Sequence, residues 1–216
     1  MSDEPLTSVA DALRRCAVIA VLRAPSADSA LRAVEALALG GVSAVEVTYS
    51  TPNVPAVLAD ARQRHPELML GAGTVTTAAQ VRESVAAGAR FVVSPGYEES
   101  VAVAMRDSGT TAIIGALTPS EVMTAHRAGA DLVKIFPASL GGPSFLRALR
   151  EPFPELRAIP TGGVSASNLG DWFDAGAFAV GASGPCPRAL LAADDYEGIR
   201  RAAAEFMAAV VRRDAS

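Results

Sequence analysis

Lysine is almost missing from this chain. Of 19 basic residues in 216, one is a lysine, Lys134; arginine takes every other position. Cysteine is also scarce. Cys16 and Cys186 are two in number and far apart, which excludes a disulfide scaffold and a Cys-based metal motif. The two histidines, His65 and His126, have no partner at ligand spacing, so no zinc or other metal site is expected. Aromatics make up 5%, and Trp172-Phe173 lies in a helical pattern and reads as packing, not as a cofactor box. No apolar run approaches the roughly 20 residues that span a bilayer. The polar start, Met1 to Leu6, lacks the apolar core of a secretion signal, so a cytoplasmic protein is expected. A net charge of -4 argues against a nucleic-acid surface or a basic membrane patch. It leaves room for an anionic ligand held by backbone N–H groups.

What is present is regular. Hydrophobic residues make up 50% and charged ones 19%, the balance of a globular chain, and the length suits one domain. A short leading helix is expected over Ser8 to Arg15. Strand-like runs follow at Ala17–Arg23, Ala44–Tyr49, Met69–Gly73, Arg90–Ser94, Thr111–Gly115, Asp131–Phe136, Leu156–Pro160 and Phe178–Gly181. Amphipathic helical patterns lie between them at Asp28–Leu39, Val54–His65, Ala78–Ala87, Glu98–Asp107, Pro119–Ala128, Ser144–Arg150 and Ser167–Ala175, and Tyr196–Arg213 closes the chain. One joint recurs. A helix ends in a small residue and a glycine, and a strand starts at once, as at Gly41, Gly88, Gly109, Gly129 and Gly176. Glycine there accepts the left-handed conformation that ends a helix. The strands are continuous apolar runs, as expected for a parallel sheet covered on both faces. This pattern predicts an α/β fold, a single (β/α)8 TIM barrel over residues 1–216 with a short N-terminal helix. An open doubly wound sheet is the rival, but the first strand lacks its G-x-G-x-x-G turn.

In such a barrel, chemistry sits at the C-terminal ends of the strands. Two ionisable residues interrupt apolar strands. Lys134 lies among Leu132, Val133, Ile135 and Phe136, and Glu46 lies between Val45 and Val47. An ammonium in apolar surroundings must find a partner, reach water or lose its proton. Arginine stays charged in proteins, whereas a buried lysine can become a nucleophile. Side chains alternate along a strand, so Glu46 and Thr48 share one face, and Lys134 and Phe136 share another. If both faces point inward, a Lys–Glu pair forms. It reads either as a buried salt bridge, which contributes little net stability, or as a lysine nucleophile beside a carboxylate acid/base. The second is the minimum set for Schiff-base chemistry on a carbonyl substrate.

The seventh and eighth strands end in Pro160-Thr161-Gly162-Gly163 and Gly181-Ala182-Ser183-Gly184. Alone, each loop reads as a tight turn; together, at these two strand ends, they point to a phosphate site. A short helix with Pro185 and Pro187 in its first turn is expected to follow and to favour negative charge at its start. Arg23 ends the first strand and Thr74 follows the third. They can hold a substrate carboxylate together, or Arg23 can be a plain surface arginine.

These residues resemble the 2-keto-3-deoxy-6-phosphogluconate (KDPG) aldolases, class I aldolases of the Entner–Doudoroff pathway. The resemblance runs from about Val18 to the eighth strand. It is carried by Val45-Glu46-Val47-Thr48, Gly71-Ala72-Gly73-Thr74-Val75, Ser94-Pro95-Gly96, Leu132-Val133-Lys134-Ile135-Phe136-Pro137 and Pro160-Thr161-Gly162-Gly163-Val164. It implies a TIM barrel, usually a homotrimer, with Lys134 as the Schiff-base lysine and Glu46 as the general acid/base. It implies Thr74 beside the pyruvate carboxylate and Phe136 packed beside the imine. Gly162, Gly163, Ser183 and Gly184 would form the phosphate cradle. Thr161 matches a position that is threonine in the gluconate enzymes and commonly valine in the phosphogalactonate enzymes. Two departures stand out. Ser50 replaces an arginine that some members use for the carboxylate, and Arg23 matches the supplier in another subset. The last loop places its serine one position away from the Gly-x-Gly-Ser of many members.

The resemblance thus implies cleavage of KDPG to pyruvate and glyceraldehyde 3-phosphate, with no metal or organic cofactor, because the imine is itself the electron sink. The partners expected are a phosphorylated 2-keto acid and pyruvate, with no nucleic acid and no membrane. Aldolases for 4-hydroxy-2-oxoglutarate or the phosphogalactonate epimer share every catalytic residue named. A phosphate-binding barrel isomerase or synthase, or a phospho-sugar binding module, stands as the alternative of another class.

Overall fold

The computed structural model describes residues 8–214; the polar segment read at Met1–Leu6 lies outside them. Eight strands alternate with helices. The strands are β1 (Val18–Leu22), β2 (Ala44–Thr48), β3 (Met69–Gly73), β4 (Phe91–Val93), β5 (Thr111–Ala116), β6 (Leu132–Ile135), β7 (Ala158–Pro160) and β8 (Val180–Ala182). The helices are α1 (Val9–Cys16), α2 (Ala27–Leu39), α3 (Val54–Arg64), α4 (Ala78–Ala86), α5 (Glu99–Ser108), α6 (Pro119–Arg127), α7 (Gly142–Arg150), α8 (Leu169–Asp174), α9 (Arg188–Ala192) and α10 (Tyr196–Asp214). All strands are parallel, in the order β7-β6-β5-β4-β3-β2-β1-β8. The ring meets itself between β7 and β8, where Thr161 bridges Gly181 and the Phe178 N–H donates to the Ala158 carbonyl at 2.8 Å. This is the expected (β/α)8 barrel.

Each turn of the repeat is made locally. Ser8, Ser26, Thr77 and Thr118 cap their helices through side-chain oxygens, and Thr118 with Glu121 forms a reciprocal capping box. The helix-to-strand glycines, Gly41, Gly88, Gly109, Gly129 and Gly176, all have φ between 67° and 92°, as expected of a chain that must reverse within one residue.

Strand alternation divides the core in two. Val18, Ala20, Leu22, Val45, Val47, Val133 and Ile135 face outward and pack under the helices. Ile19, Ala44, Phe91, Val93, Ile113, Leu132 and Ile159 fill the barrel, with Ala10 and Leu13 of α1 joining that cluster. Apart from Val93, which ends β4, the inward strand residues precede the C-terminal ends of their strands. The hydrophobic filling therefore occupies the lower barrel and leaves the upper layer to polar groups.

Boundaries shift where side chains compete with the backbone. α8 begins at Leu169, not at Ser167. Asn168 takes the Ser165 N–H at 2.8 Å and donates to the Gly163 carbonyl at 2.8 Å, holding a turn where the pattern suggested helix. β8 begins at Val180, two residues later than expected. The Phe178 ring is taken up between the guanidiniums of Arg14 and Arg157, 5.5 and 5.7 Å from its centroid. α9 begins at Arg188, so Pro187 flanks it and Pro185 lies outside it. It is only five residues long, too short for the strong anion-attracting terminus that the two prolines suggested.

Candidate active site

Lys134 and Glu46 both point into the barrel, one layer above the hydrophobic filling. The Lys134 Nζ lies 3.5 Å from Glu46 Oε1, and the two side chains are 4% and 3% exposed. Among the described residues, Glu46 Oε1 accepts no hydrogen bond. A buried carboxylate oxygen left this way is costly, and a pair built for stability would be better satisfied. The Phe136 ring sits beside the amine, its centroid 5.3 Å from Nζ. Phe136 is only partly buried.

Glycines make the room. Gly71 and Gly73 face inward from β3, register partners of Glu46 and Thr48. A Cβ at Gly71 would collide with the Phe91 ring, and one at Gly73 would land on the Glu46 carboxylate. On β5, a Cβ at Gly115 would collide with the Pro95 carbonyl group. Three positions without side chains thus admit the Phe91 ring, the Glu46 carboxylate and the Pro95 backbone at close range.

A polar chain runs along the rim of β1, β2 and β3. Thr48 Oγ1 donates to the Leu22 carbonyl at 2.9 Å and lies 2.7 Å from Ser50 Oγ. With the Thr48 proton on the carbonyl, the Ser50 hydroxyl donates to Thr48. Its oxygen then accepts from Arg23 Nη1 at 3.2 Å. The same Nη1 reaches Thr74 Oγ1 at 3.5 Å. Arg23 and Thr74 do come together, as the sequence suggested, and Ser50 is the residue that holds the guanidinium. Thr74 has φ 55°, a left-handed conformation unusual for a β-branched residue. Such strain concentrates at functional sites.

Opposite, Gly162 and Gly163 have φ of 90° and 81°. Thr161 is buried, and among the described residues its hydroxyl donates only to the Ile159 carbonyl, at 3.4 Å. A Cβ at Gly181 would land on that hydroxyl. Ser183 and Gly184 are exposed on the neighbouring loop. Glu46 and Lys134 thus lie within β2 and β6, and the other residues named from sequence lie in the loops that follow the C-terminal ends of their strands.

Two contributions escaped the sequence reading. Thr48 and Ser50 anchor Arg23, and nothing in their local sequence announces a role that depends on a residue 27 positions earlier. Arg188 lines a cavity of about 330 Å³ together with Arg23, Ala24, Pro25, Ser50 and Leu191. A signal was available: Arg188 is the only basic residue between β8 and α10.

Residues 9–202 match the family model for KDPG and KHG aldolase. The chain belongs to the KDPG and KHG aldolase family. It is 35% identical over 196 residues to a 2-dehydro-3-deoxy-phosphogluconate aldolase of Treponema pallidum, covering 90% of this chain and 93% of that one. It is 36% identical over 202 residues to the KHG/KDPG aldolase of Escherichia coli, covering 92% and 94%. Among solved structures, the KDPG aldolase of Legionella pneumophila, with pyruvate captured as a covalent carbinolamine intermediate, aligns with a TM-score of 0.85. That alignment is at 32% identity and covers 92% of this chain and 97% of that one. Among the described residues, no helix of this aldolase-family chain is long and apolar enough to cross a membrane.

Proposed function

We propose that the protein is a class I aldolase whose substrate is 2-dehydro-3-deoxy-6-phosphogluconate, cleaved reversibly to pyruvate and D-glyceraldehyde 3-phosphate. One observation carries this reading: the only lysine of the chain is buried 3.5 Å from a buried carboxylate in the upper layer of the barrel.

Lys134 is the nucleophile. Its amine must be neutral to attack the C2 ketone, and Glu46 is the group placed to take its proton. Attack gives a carbinolamine. Glu46 returns a proton to the departing hydroxyl, and loss of water leaves the iminium. The C4 hydroxyl then gives up its proton to Glu46 while the C3–C4 bonding pair moves into the iminium. Glyceraldehyde 3-phosphate leaves, and the enamine that remains is protonated at C3. Water adds to the resulting pyruvyl iminium and releases pyruvate with the free amine. Phe136 shields the iminium from bulk water and offers its ring face to the cation.

Arg23, held by Ser50, binds the keto-acid carboxylate with the Thr74 hydroxyl. This replaces the arginine that other members carry at position 50. The phosphate lies on the backbone N–H groups of Gly162, Gly163, Ser183 and Gly184, where the two left-handed glycines let the chain approach the anion. The Thr161 hydroxyl takes a hydroxyl of the sugar chain. The chain is a single catalytic domain, it works in the cytoplasm, and its assembly is the homotrimer that the family resemblance implies, which sedimentation equilibrium tests.

Borohydride reduction with pyruvate tests the chemistry. A pyruvyl adduct on the peptide containing Lys134 is expected, found by mass spectrometry. Absence of any adduct on a folded enzyme would end the Schiff-base reading. Turnover of KDPG, its galactonate epimer and 4-hydroxy-2-oxoglutarate, compared side by side, then ranks the substrates that share this machinery, and KDPG is expected first.

A further inference from the structure

The catalytic face of the barrel carries few cationic side chains. The connections that leave the C-terminal ends of the strands contain just two basic residues, Arg23 after β1 and Arg188 between β8 and α10. Every other arginine lies on α1 to α7, on α10 or on the opposite face. These two line the same cavity of about 330 Å³, whose walls contain no carboxylate. Neither is in an ion pair among the described residues. The acids on these connections are committed elsewhere. Glu98 accepts from Ser100 and Val101, Asp194 from the Tyr196 hydroxyl, and Asp195 from the Gly198 N–H.

The order round the ring gives the two arginines different positions. Thr74, Ser50 and Arg23 follow β3, β2 and β1, and the next loop after Arg23 is that of β8, which carries Arg188. Beyond it comes the glycine loop after β7. A substrate joined at C2 to Lys134, with its carboxylate at Arg23 and its phosphate on the β7 and β8 loops, ends at the connection that carries Arg188. The β8 loop has few donors of its own. Its single hydroxyl, on Ser183, is exposed, and the helix that follows is barely more than one turn. Backbone N–H groups alone carry no net charge to balance a dianion, whereas a guanidinium does so in a bidentate geometry.

We infer that Arg188 is a specificity-determining residue: its guanidinium closes over the distal phosphate of the substrate and selects phosphorylated from unphosphorylated aldehydes. This rests on the aldolase reading above and adds a residue to it. Arg188 touches no reacting atom, so it acts on binding of one end of the substrate and not on the imine chemistry.

The test uses the aldol direction, pyruvate with D-glyceraldehyde 3-phosphate or with D-glyceraldehyde, in wild-type enzyme, Arg188→Ala and Arg188→Lys. Arg188 is exposed, so both variants are expected to fold. For the phosphorylated aldehyde, Arg188→Ala should lower kcat/KM roughly 10- to 100-fold through KM, the scale of one lost charge-assisted hydrogen bond. For glyceraldehyde the fall should stay within about threefold, so the ratio between the two collapses. Arg188→Lys should recover part of the ratio, since the charge returns without the fork. Equal losses for both aldehydes, or no loss for either, in variants of an active wild-type enzyme would overturn the inference alone. A wild-type enzyme that adds pyruvate to neither aldehyde would overturn the aldolase reading beneath it.

Discussion

Gly73 on β3 faces Glu46 on β2 so closely that a methyl group at position 73 would occupy the place of the carboxylate. The two strands are in register one step apart, with Thr48 opposite Gly73 and Glu46 opposite Gly71. The acid is therefore set by a missing side chain on its neighbour as much as by its own strand. Gly73→Ala is expected to destabilise the fold by roughly 1–3 kcal/mol, as overpacking does, and to lower kcat as the carboxylate is displaced. Urea unfolding and steady-state kinetics check both. Wild-type turnover in Gly73→Ala would show that the carboxylate does not work from this position.

Glu46→Gln keeps the shape and removes the base. A drop in kcat of roughly 100- to 10,000-fold is expected, the range for a general acid/base. Circular dichroism should be unchanged. The adduct with pyruvate should still form, more slowly, because Lys134 remains. Near-normal turnover would move the proton-transfer role to another group.

Thr161 hydrogen-bonds only weakly within the protein, at 3.4 Å to the Ile159 carbonyl, so its hydroxyl is free for a better partner. Thr161→Val removes that hydroxyl at nearly constant volume. The ratio of kcat/KM for KDPG over its galactonate epimer is expected to fall roughly 2- to 10-fold, the scale of one neutral hydrogen bond. An unchanged ratio would place substrate discrimination elsewhere.

Cys186 supplies a pH signature. Burial pushes its thiol up from 9.0 to about 12. The folded state keeps the proton that the unfolded chain loses, so the stabilising contribution is complete below pH 9. It declines as pH rises from 9 toward 12. Each pH unit in that window removes about 1.4 kcal/mol at most from this one group. Unfolding free energies measured between pH 8 and pH 10 should fall more steeply in the wild-type protein than in Cys186→Ala. Parallel slopes would show that the thiol is not shielded as described.

Much of this protein is legible in its amino-acid sequence. The apolar strand runs, the glycines that end the helices and the capping residues are local features, and the fold follows from them because each βα unit has to bury the same two faces. Lys134 and Glu46 were legible for a related reason. A charged residue inside an apolar run contradicts its surroundings, and alternation along a strand says which way it points. The tertiary structure decided what depends on two segments meeting. The pairing of β8 with β1 brings the β8 connection next to Arg23 and so puts Arg188 in one cavity with it. The β2 rim anchors Arg23 through Ser50, and the bare surface of Gly73 makes space for Glu46. None of these is visible along the chain. Each rests on a distance between side chains far apart in sequence, and a periodic pattern of residues carries directions but not distances.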